Sequence, residues 1–154
     1  MSAALGHGVT IRPAEERDVP ALLRLIGALA ENQNEKQYLT TTEEKLRESG
    51  FGDKPKWRAL LLEKGSSAIG YATYSYGYHI WSAAKRINID DLYVDKAFRG
   101  LGLGEMLMRR LSEEARNIDA DLSWTVQPQN DRAIRFYQRL GAKVAIIGKC
   151  NWRT

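Results

Sequence analysis

Three glycines recur at alternate positions in a segment that joins a strand-like run to a helix. The run ends at Val94, and Gly100, Gly102 and Gly104 open the amphipathic segment that follows. Glycine permits positive φ angles and close approach of the backbone to a ligand. A helix N-terminus presents N–H groups and a partial positive charge to an anion. The spacing therefore predicts a loop that binds a phosphate or a pyrophosphate.

Two familiar phosphate loops do not fit this segment. A P-loop carries Lys and then Ser or Thr after its last glycine, whereas Glu105 follows Gly104 here. A dinucleotide-binding loop has G-x-G-x-x-G spacing and a longer second half of the chain behind it. The remaining alternative is a tight turn whose glycines serve packing alone. A pyrophosphate loop that uses no metal is the favoured interpretation.

Two motifs resemble those of a known family. Residues 99–104 read RGLGLG, and residues 130–142 read NDRAIRFYQRLGA, with an asparagine, a Phe-Tyr pair on a helix and a terminal glycine. Both resemble signatures of the GNAT acyltransferase superfamily. Within it, the chain is similar to the diamine (spermidine/spermine) N-acetyltransferase branch, through the further stretches IRPAEERDVPALLRLIGALA, LRESGFGDKP and IDDLYV.

The resemblance implies that acetyl-CoA is the cosubstrate and that its contacts come from three short segments. A backbone N–H at the end of the strand before the loop would bind the thioester oxygen, and the glycine loop would bind the pyrophosphate. The start of the second motif would complete the cofactor site. The implied contacts are Leu92, Tyr93, Val94, Arg99, Gly100, Leu101, Gly102, Leu103, Gly104, Asn130, Asp131, Arg132 and Ala133.

An adjacent acidic pair, Asp90 and Asp91, lies on the strand before the loop. Neighbouring strand residues point to opposite faces, so at most one can enter the cleft directly unless the strand is distorted. By resemblance, Asp90 matches a glutamate that contacts the acceptor and relays its proton through water, and Asp91 matches a second acid on the substrate side. The alternative is that both are strand-edge carboxylates paired with Lys85 or Arg86.

Tyr137 is the second catalytic candidate. It follows Asn130 by seven positions, which places both on nearly the same helix face. A phenol with a pKa of about 10 keeps its proton and can give it to a thiolate whose acid has a pKa of about 8.5. The resemblance assigns proton donation to this tyrosine, and the alternative is a core aromatic beside Phe136. Asn130 also fits a helix N-cap.

The acceptor amine is defined less sharply by the sequence. Aromatic faces stabilise ammonium groups, and the candidate contacts are Tyr76, Tyr78, Trp81 and Trp124, with the two tryptophans preferred. In the polyamine relatives the loop after the first helix carries an aromatic–acidic pair, whereas Asn32 and Gln33 stand at the matching positions. The formal net charge of +4 is also unfavourable for a polycation. We therefore expect a short diamine or a lysine-like amine.

The elements that must position these residues follow from hydrophobic periodicity and turn signals. The pattern predicts an α+β fold with a central mixed sheet of six to seven strands and about four helices, in one N-acetyltransferase domain over residues 1–154. The predicted strands are 9–13, 57–63, 67–78, 86–94, 121–126, 143–147 and 150–153. The predicted helices run from a cap at Asp18 to about Glu31, over 42–49, from the glycines to about Asn117, and over 130–140.

Composition excludes several other classes of protein. With 44% hydrophobic and 27% charged residues, the chain is typical of a globular protein, and no apolar run has the roughly 20 residues that a bilayer span needs. The start of the chain lacks the pattern of a signal peptide, so a cytoplasmic location is expected. A single cysteine, Cys150, and two histidines predict no disulfide and no metal site. No basic–aromatic stacking array predicts nucleic-acid binding.

The sequence thus predicts an enzyme that moves the acetyl group of acetyl-CoA to a primary amine of a small molecule, by direct attack in a ternary complex. A homodimer is expected from the resemblance. Two alternatives stay open: an acetyltransferase of peptides or proteins, and an acyl-CoA-binding sensor without chemistry. A route through an acetylated Cys150 is disfavoured, because the residue follows both motifs and lies far in sequence from any histidine.

Overall fold

The computed structural model describes the backbone of residues 3–5 and the whole of residues 8–154. Two compact units contain these residues, Met1–Trp124 and Thr125–Thr154. The first unit holds the sheet, the glycine loop and the acidic pair, and the second holds the asparagine–tyrosine motif. The expectation of a single domain stays a prediction.

The first unit is built on one mixed sheet, which confirms the α+β class. Its spatial order is the chain order, and neighbouring strands are antiparallel except for the parallel pair β5 and β6. Five strands have four residues or more, and the sequence did not predict the three-residue edge strand β1. The strands are β1 Ala3–Leu5, β2 Val9–Pro13, β3 Arg58–Lys64, β4 Ser67–His79, β5 Ala84–Val94 and β6 Ala120–Ser123.

Three helices of the first unit lie close to the predicted ranges: α1 Val19–Asn32, α2 Glu43–Gly50 and α3 Leu103–Asn117. Thr42 caps α2 by accepting a hydrogen bond from the Lys45 N–H at 3.2 Å. Asp18 precedes α1 as expected but does not cap it. Its carboxylate accepts hydrogen bonds from Arg12 at 2.7 and 2.9 Å instead, since that guanidinium matches both oxygens.

The two faces of the sheet are distinguished by the helix that each one meets. One face carries Tyr71 and Tyr93, which pack with the buried Leu22 and Leu25 of α1; we call it the α1 face. The other carries Tyr74, whose hydroxyl donates to Glu114 of α3; we call it the α3 face. Because strand side chains alternate, the pairing register decides to which face each residue belongs.

The second unit contains α4, Asp131–Arg139, as predicted. The predicted strands at 143–147 and 150–153 are wrong, because the structure assigns no strand to the described residues after Ser123. Ile146, Ile147 and Trp152 are between 78% and 91% exposed. A strand is stabilised by hydrogen bonds to a neighbouring strand. The apolar pattern of a segment does not show whether such a neighbour is present.

None of the described helices combines the length and the apolar character that spanning a bilayer requires. Within residues 8–154, no group of three or more His, Cys, Asp or Glu side chains is arranged to hold a metal ion. His7 lies outside the described residues.

Candidate active site

The glycine loop has the backbone that a close-approaching ligand needs. After β5 the chain makes a short 3-10 turn, and Gly100 and Gly102 then adopt φ angles of +80° and +74°. Gly102 is the N-cap of α3. A Cβ atom at either glycine would meet no other atom within 4 Å. Positive φ, rather than packing, therefore requires glycine here, and the space beside the loop is open.

The first turn of α3 leaves its N–H groups available. The acidic Glu105 of this turn is paired with Arg109 one turn later, at 2.9 and 2.6 Å. That pairing offsets the charge that would repel an anion at the helix N-terminus. Arg109 is thereby a residue of a solvated helix face.

Arg99 joins the loop to the strand that precedes it. Its Nε donates to the Val94 carbonyl at 3.0 Å, and its guanidinium lies 5.6 Å from the centre of the Tyr93 ring. Both contacts fix the path of the backbone between β5 and the glycines. The predicted contact of Arg99 with the cosubstrate stays a prediction.

The edge of β5 is only partly covered. β6 pairs with Lys85–Asn88 through residues 120–123, and no strand of the described chain continues this pairing along Ile89–Val94. Leu92, Tyr93 and Val94, the predicted donors to the thioester, lie on this uncovered stretch. An open strand edge offers backbone N–H groups to an extended ligand.

A β-bulge lies at the acidic pair. Ile89 is opposite Tyr74 and Asp91 is opposite Thr73, so Asp90 has no partner on β4. The extra residue turns the strand by one position. Ile89 consequently belongs to the α3 face and Asp91 to the α1 face, although they are two residues apart. This is the distortion that sequence alone could not specify.

The two acids have different surroundings. Asp91 is half-buried and its Oδ2 accepts from the Tyr71 hydroxyl at 3.2 Å. Burial raises the pKa of Asp91, and the Tyr71 and Thr73 hydroxyls partly oppose that rise. Asp90 is more exposed, and its pKa is raised by burial and then by the charge of Asp91. In the described part of the chain neither acid forms an ion pair with Lys85 or Arg86.

The aromatic candidates lie away from the acids or at the end of the first unit. Trp81 is 94% exposed in the turn between β4 and β5. The six residue-to-residue steps from Ala84 to Asp90 extend over roughly 20 Å at the rise of a strand. An acceptor would have to be long to touch both Trp81 and Asp90. Trp124 is half-buried directly after β6.

The second unit presents the other predicted residues on α4. Asn130 Oδ1 accepts from the Ala133 N–H at 3.1 Å, which confirms the N-cap. Asp131 and Arg132 are exposed in the first turn. Tyr137 packs beside Phe136 with ring centres 5.1 Å apart, and burial raises the pKa of its phenol. The phenol therefore keeps its proton throughout the neutral range.

Comparison with known proteins identifies the family to which a chain with these features belongs. Residues 23–142 match the acetyltransferase (GNAT) family. The chain belongs to the GNAT family. It is 33% identical to a thialysine N-epsilon-acetyltransferase of Bos taurus, over 88% of this chain and 84% of that protein. It is 34% identical to the spermidine/spermine N(1)-acetyltransferase-like protein 1 of Homo sapiens, over 86% of this chain and 20% of that protein.

The fold agrees with this assignment. An aminoglycoside acetyltransferase from an uncultured soil metagenomic sample, solved in complex with trehalose, superposes with a TM-score of 0.82. The match covers 97% of this chain and 99% of that one, at 16% identity. The protein is thus a GNAT enzyme that uses acetyl-CoA to acetylate an amine, as the two motifs and the branch resemblance predicted.

Two residues near the acids were not identified from the sequence of this GNAT enzyme. Tyr71 and Thr73 lie on β4 and face Asp91. Their alternation in the strand shows that they share a face, but only the pairing register places Asp91 beside them. Only recognition of the bulge at Asp90 would have placed Asp91 on the same face as these two residues.

Proposed function

We propose that the protein acetylates the primary amine of a short diamine or a lysine-like compound. The observation that carries this proposal is the bulge, which sets two carboxylates beside an open strand edge. An ammonium group needs an anionic partner. Asn32 and Gln33 at the end of α1 are uncharged, so they give the far end of a long polyamine no ion pair. The similarity to thialysine N-epsilon-acetyltransferases supports a lysine-like acceptor.

In the proposed mechanism, Asp91 orients the ammonium group and Asp90 removes its proton through a water molecule. The raised pKa of Asp90 makes it a better base than an ordinary aspartate. The neutral amine then attacks the thioester carbonyl of acetyl-CoA directly. A backbone N–H of residues 92–94 stabilises the negative oxygen of the tetrahedral intermediate.

Breakdown of this intermediate cleaves the C–S bond and releases the CoA thiolate. We assign the proton that neutralises the thiolate to Tyr137. Burial raises the pKa of this phenol, so it is protonated when the thiolate forms. The attacking nitrogen gives up its second proton to water as the amide forms, and the tyrosine regains a proton from water. The products are the acetylated amine and the free thiol of CoA.

An amine panel tests the acceptor. Short diamines, lysine, thialysine, spermine and a lysine-containing peptide are compared by kcat/KM, with release of the CoA thiol as the readout. We expect short or lysine-like amines to be used at least as well as spermine. A preference for spermine above about tenfold, or 1.4 kcal/mol in transition-state binding, contradicts the proposal. Exclusive use of the peptide would favour a protein acetyltransferase.

The loop assignment has a matched test within the chain. Gly102 and Gly65 both have positive φ, at +74° and +61°, and both have open space where a Cβ would lie. Replacement by Ala imposes similar backbone strain at each site, but only Gly102→Ala intrudes on the proposed pyrophosphate site. We expect calorimetry to show acetyl-CoA affinity reduced about tenfold or more in Gly102→Ala and unchanged in Gly65→Ala. Equal affinities in both variants would contradict the assignment.

A further inference from the structure

Tyr71 places a hydroxyl in the apolar core. Its side chain is 0% exposed and packs with Leu22 and Leu25 of α1. A phenylalanine would fill the same volume without a polar atom to satisfy. The Tyr71 hydroxyl donates to Asp91 Oδ2 at 3.2 Å. The one polar side-chain atom of Tyr71 is therefore satisfied by the carboxylate of Asp91, beside the bulge.

A second hydroxyl of β4 faces the same carboxylate. Thr73 is directly opposite Asp91 in the register and is 7% exposed. Its Oγ1 is buried and forms no hydrogen bond of acceptable geometry, yet it lies close enough to Asp91 to lower the pKa of that carboxyl. Asp91 thus meets two hydroxyls from one strand and one face.

We propose that Tyr71 is a positioning residue for acetyl transfer: its hydroxyl holds the Asp91 carboxylate in place and in its charged form beside Asp90. The proposal rests on the proposed function, in which Asp91 binds the acceptor's ammonium group. Tyr71 itself touches neither the acceptor nor acetyl-CoA, and it acts through Asp91.

The charge balance at Asp91 explains why a donor is needed. Burial favours the neutral acid, and a hydrogen bond from a neutral donor favours the carboxylate. Burial also raises the pKa of Tyr71 far above the neutral range, so the phenol stays a donor at every working pH. A charged Asp91 then raises the pKa of Asp90, which strengthens Asp90 as a base.

The other elements around Asp91 leave this role to β4. Asp90 is the neighbouring charge on β5, and α1 packs Leu22 and Leu25 on this face. Arg24, a cation of α1, is engaged elsewhere. It donates to the Ala68 carbonyl at 2.6 Å and lies 3.8 Å from Asp95.

Titration of the free protein tests the proposal without any acceptor. The carboxyl carbon of Asp91 is followed by NMR from acid to neutral pH in the wild type, Tyr71→Phe and Tyr74→Phe. Tyr74 is the matched control, since it is a buried tyrosine of the same strand that donates to Glu114 at 2.8 Å. We expect the Asp91 midpoint to rise by about 0.5–1 pH unit in Tyr71→Phe and to stay unchanged in Tyr74→Phe. An unchanged midpoint in Tyr71→Phe, or an equal rise in both, overturns the proposal.

A measurement on the wild type guards against misfolding of the variant. The ring carbon Cζ of Tyr71 should change its chemical shift with the same midpoint as Asp91, because the hydrogen bond joins them. A Cζ signal that does not respond to pH contradicts the proposal. These titrations use no substrate. They therefore test the role of Tyr71 even if the amine panel rules out the proposed acceptor.

Kinetics separate positioning from a merely structural role. With the best amine that the wild type accepts, the acidic limb of the kcat/KM profile should move to higher pH in Tyr71→Phe, while the KM for acetyl-CoA stays constant. In an Asp91→Asn background, Tyr71→Phe should change kcat/KM by less than about twofold, because the partner is already uncharged. A further loss as large as in the wild-type background overturns the proposal.

Discussion

β4 gives tyrosine hydroxyls to carboxylates on both faces of the sheet, and the two arrangements differ in kind. On the α3 face, Glu114 accepts from Tyr74 at 2.8 Å and also from Tyr76. On the α1 face, Asp91 accepts from Tyr71 at 3.2 Å. Glu114 comes from a regular helix, whereas Asp91 comes from a bulged strand beside a second acid.

The difference separates a carboxylate that ties two elements together from the one to which the proposed function assigns chemistry. Glu114 ties α3 to the sheet and also lines a cleft of about 400 Å³ with Arg58 and Arg110. Each of its two oxygens accepts from one phenol hydroxyl, Oε2 from Tyr74 and Oε1 from Tyr76. Asp91 lies next to the uncovered edge of β5, and burial raises its pKa. A raised pKa beside an irregular, open backbone is typical of a functional acid.

The largest expected effect comes from a comparison of two tyrosines, Tyr137 of α4 and Tyr74 of β4. Tyr137→Phe removes the proposed proton donor, so we expect kcat to fall by about 10²–10³ with acetyl-CoA affinity little changed. Tyr74→Phe removes a hydroxyl that ties α3 to the sheet, and kcat should stay within about threefold. Steady-state kinetics measure both. Wild-type turnover in Tyr137→Phe would mean that water protonates the thiolate.

An intermediate effect is expected from removal of each carboxylate charge with the side-chain shape kept. Asp91→Asn should lower kcat/KM for the amine by about 10–100-fold, since a charge-assisted contact to the ammonium group is lost. Glu114→Gln should change it by less than about threefold. Equal losses in the two variants, measured at saturating acetyl-CoA, would remove the distinction between the two faces.

The smallest effect is on stability, and its sign should differ between the two sites. Burial raises the pKa of Asp91 in the folded state above its ordinary value of 3.8. At pH values above that raised pKa, the charged and buried carboxylate therefore lowers the free energy of unfolding. This loss of stability disappears as the pH falls through the raised pKa. At pH 7, Asp91→Asn should be more stable by roughly 0.5–2 kcal/mol. Glu114→Gln should be less stable by about 1 kcal/mol.

Thermal unfolding at pH 7 and in the acid range measures this difference. The gain in Asp91→Asn should shrink toward zero as the pH approaches 3.8, since wild-type Asp91 is then neutral in the folded state as well. A gain that does not depend on pH would assign it to packing rather than to charge. A loss of stability in both variants would mean that Asp91 is as structural as Glu114.

Local signals were the most predictable part of the molecule. Asn130 was placed at the start of α4 because its side chain can bond the N–H three residues on, and the structure shows that bond. The helix after the glycines begins and ends close to the predicted positions, since its apolar spacing and its glycines act within one segment. The GNAT family followed from the same local motifs.

What depends on a distant partner could not be predicted in the same way. The segments 143–147 and 150–153 have the alternation of strands but no described neighbour to pair with. Asp18 has the chemistry of a cap but binds Arg12, because the fold brings that guanidinium within 2.7 Å. The first case depends on a pairing strand that the described residues do not provide, and the second on an arginine brought close by the fold. No local sequence pattern reports either one.

The sequence by itself determined the reaction family, and it located the glycine loop and the two adjacent acids on which the proposed chemistry depends. Only the tertiary structure decided which face Asp91 occupies. A one-residue slip between β4 and β5 reverses the face of everything beyond it. The slip is settled by the pairing of two whole strands against α1 and α3, so Tyr71 meets Asp91 through the register and not through any feature of either residue alone.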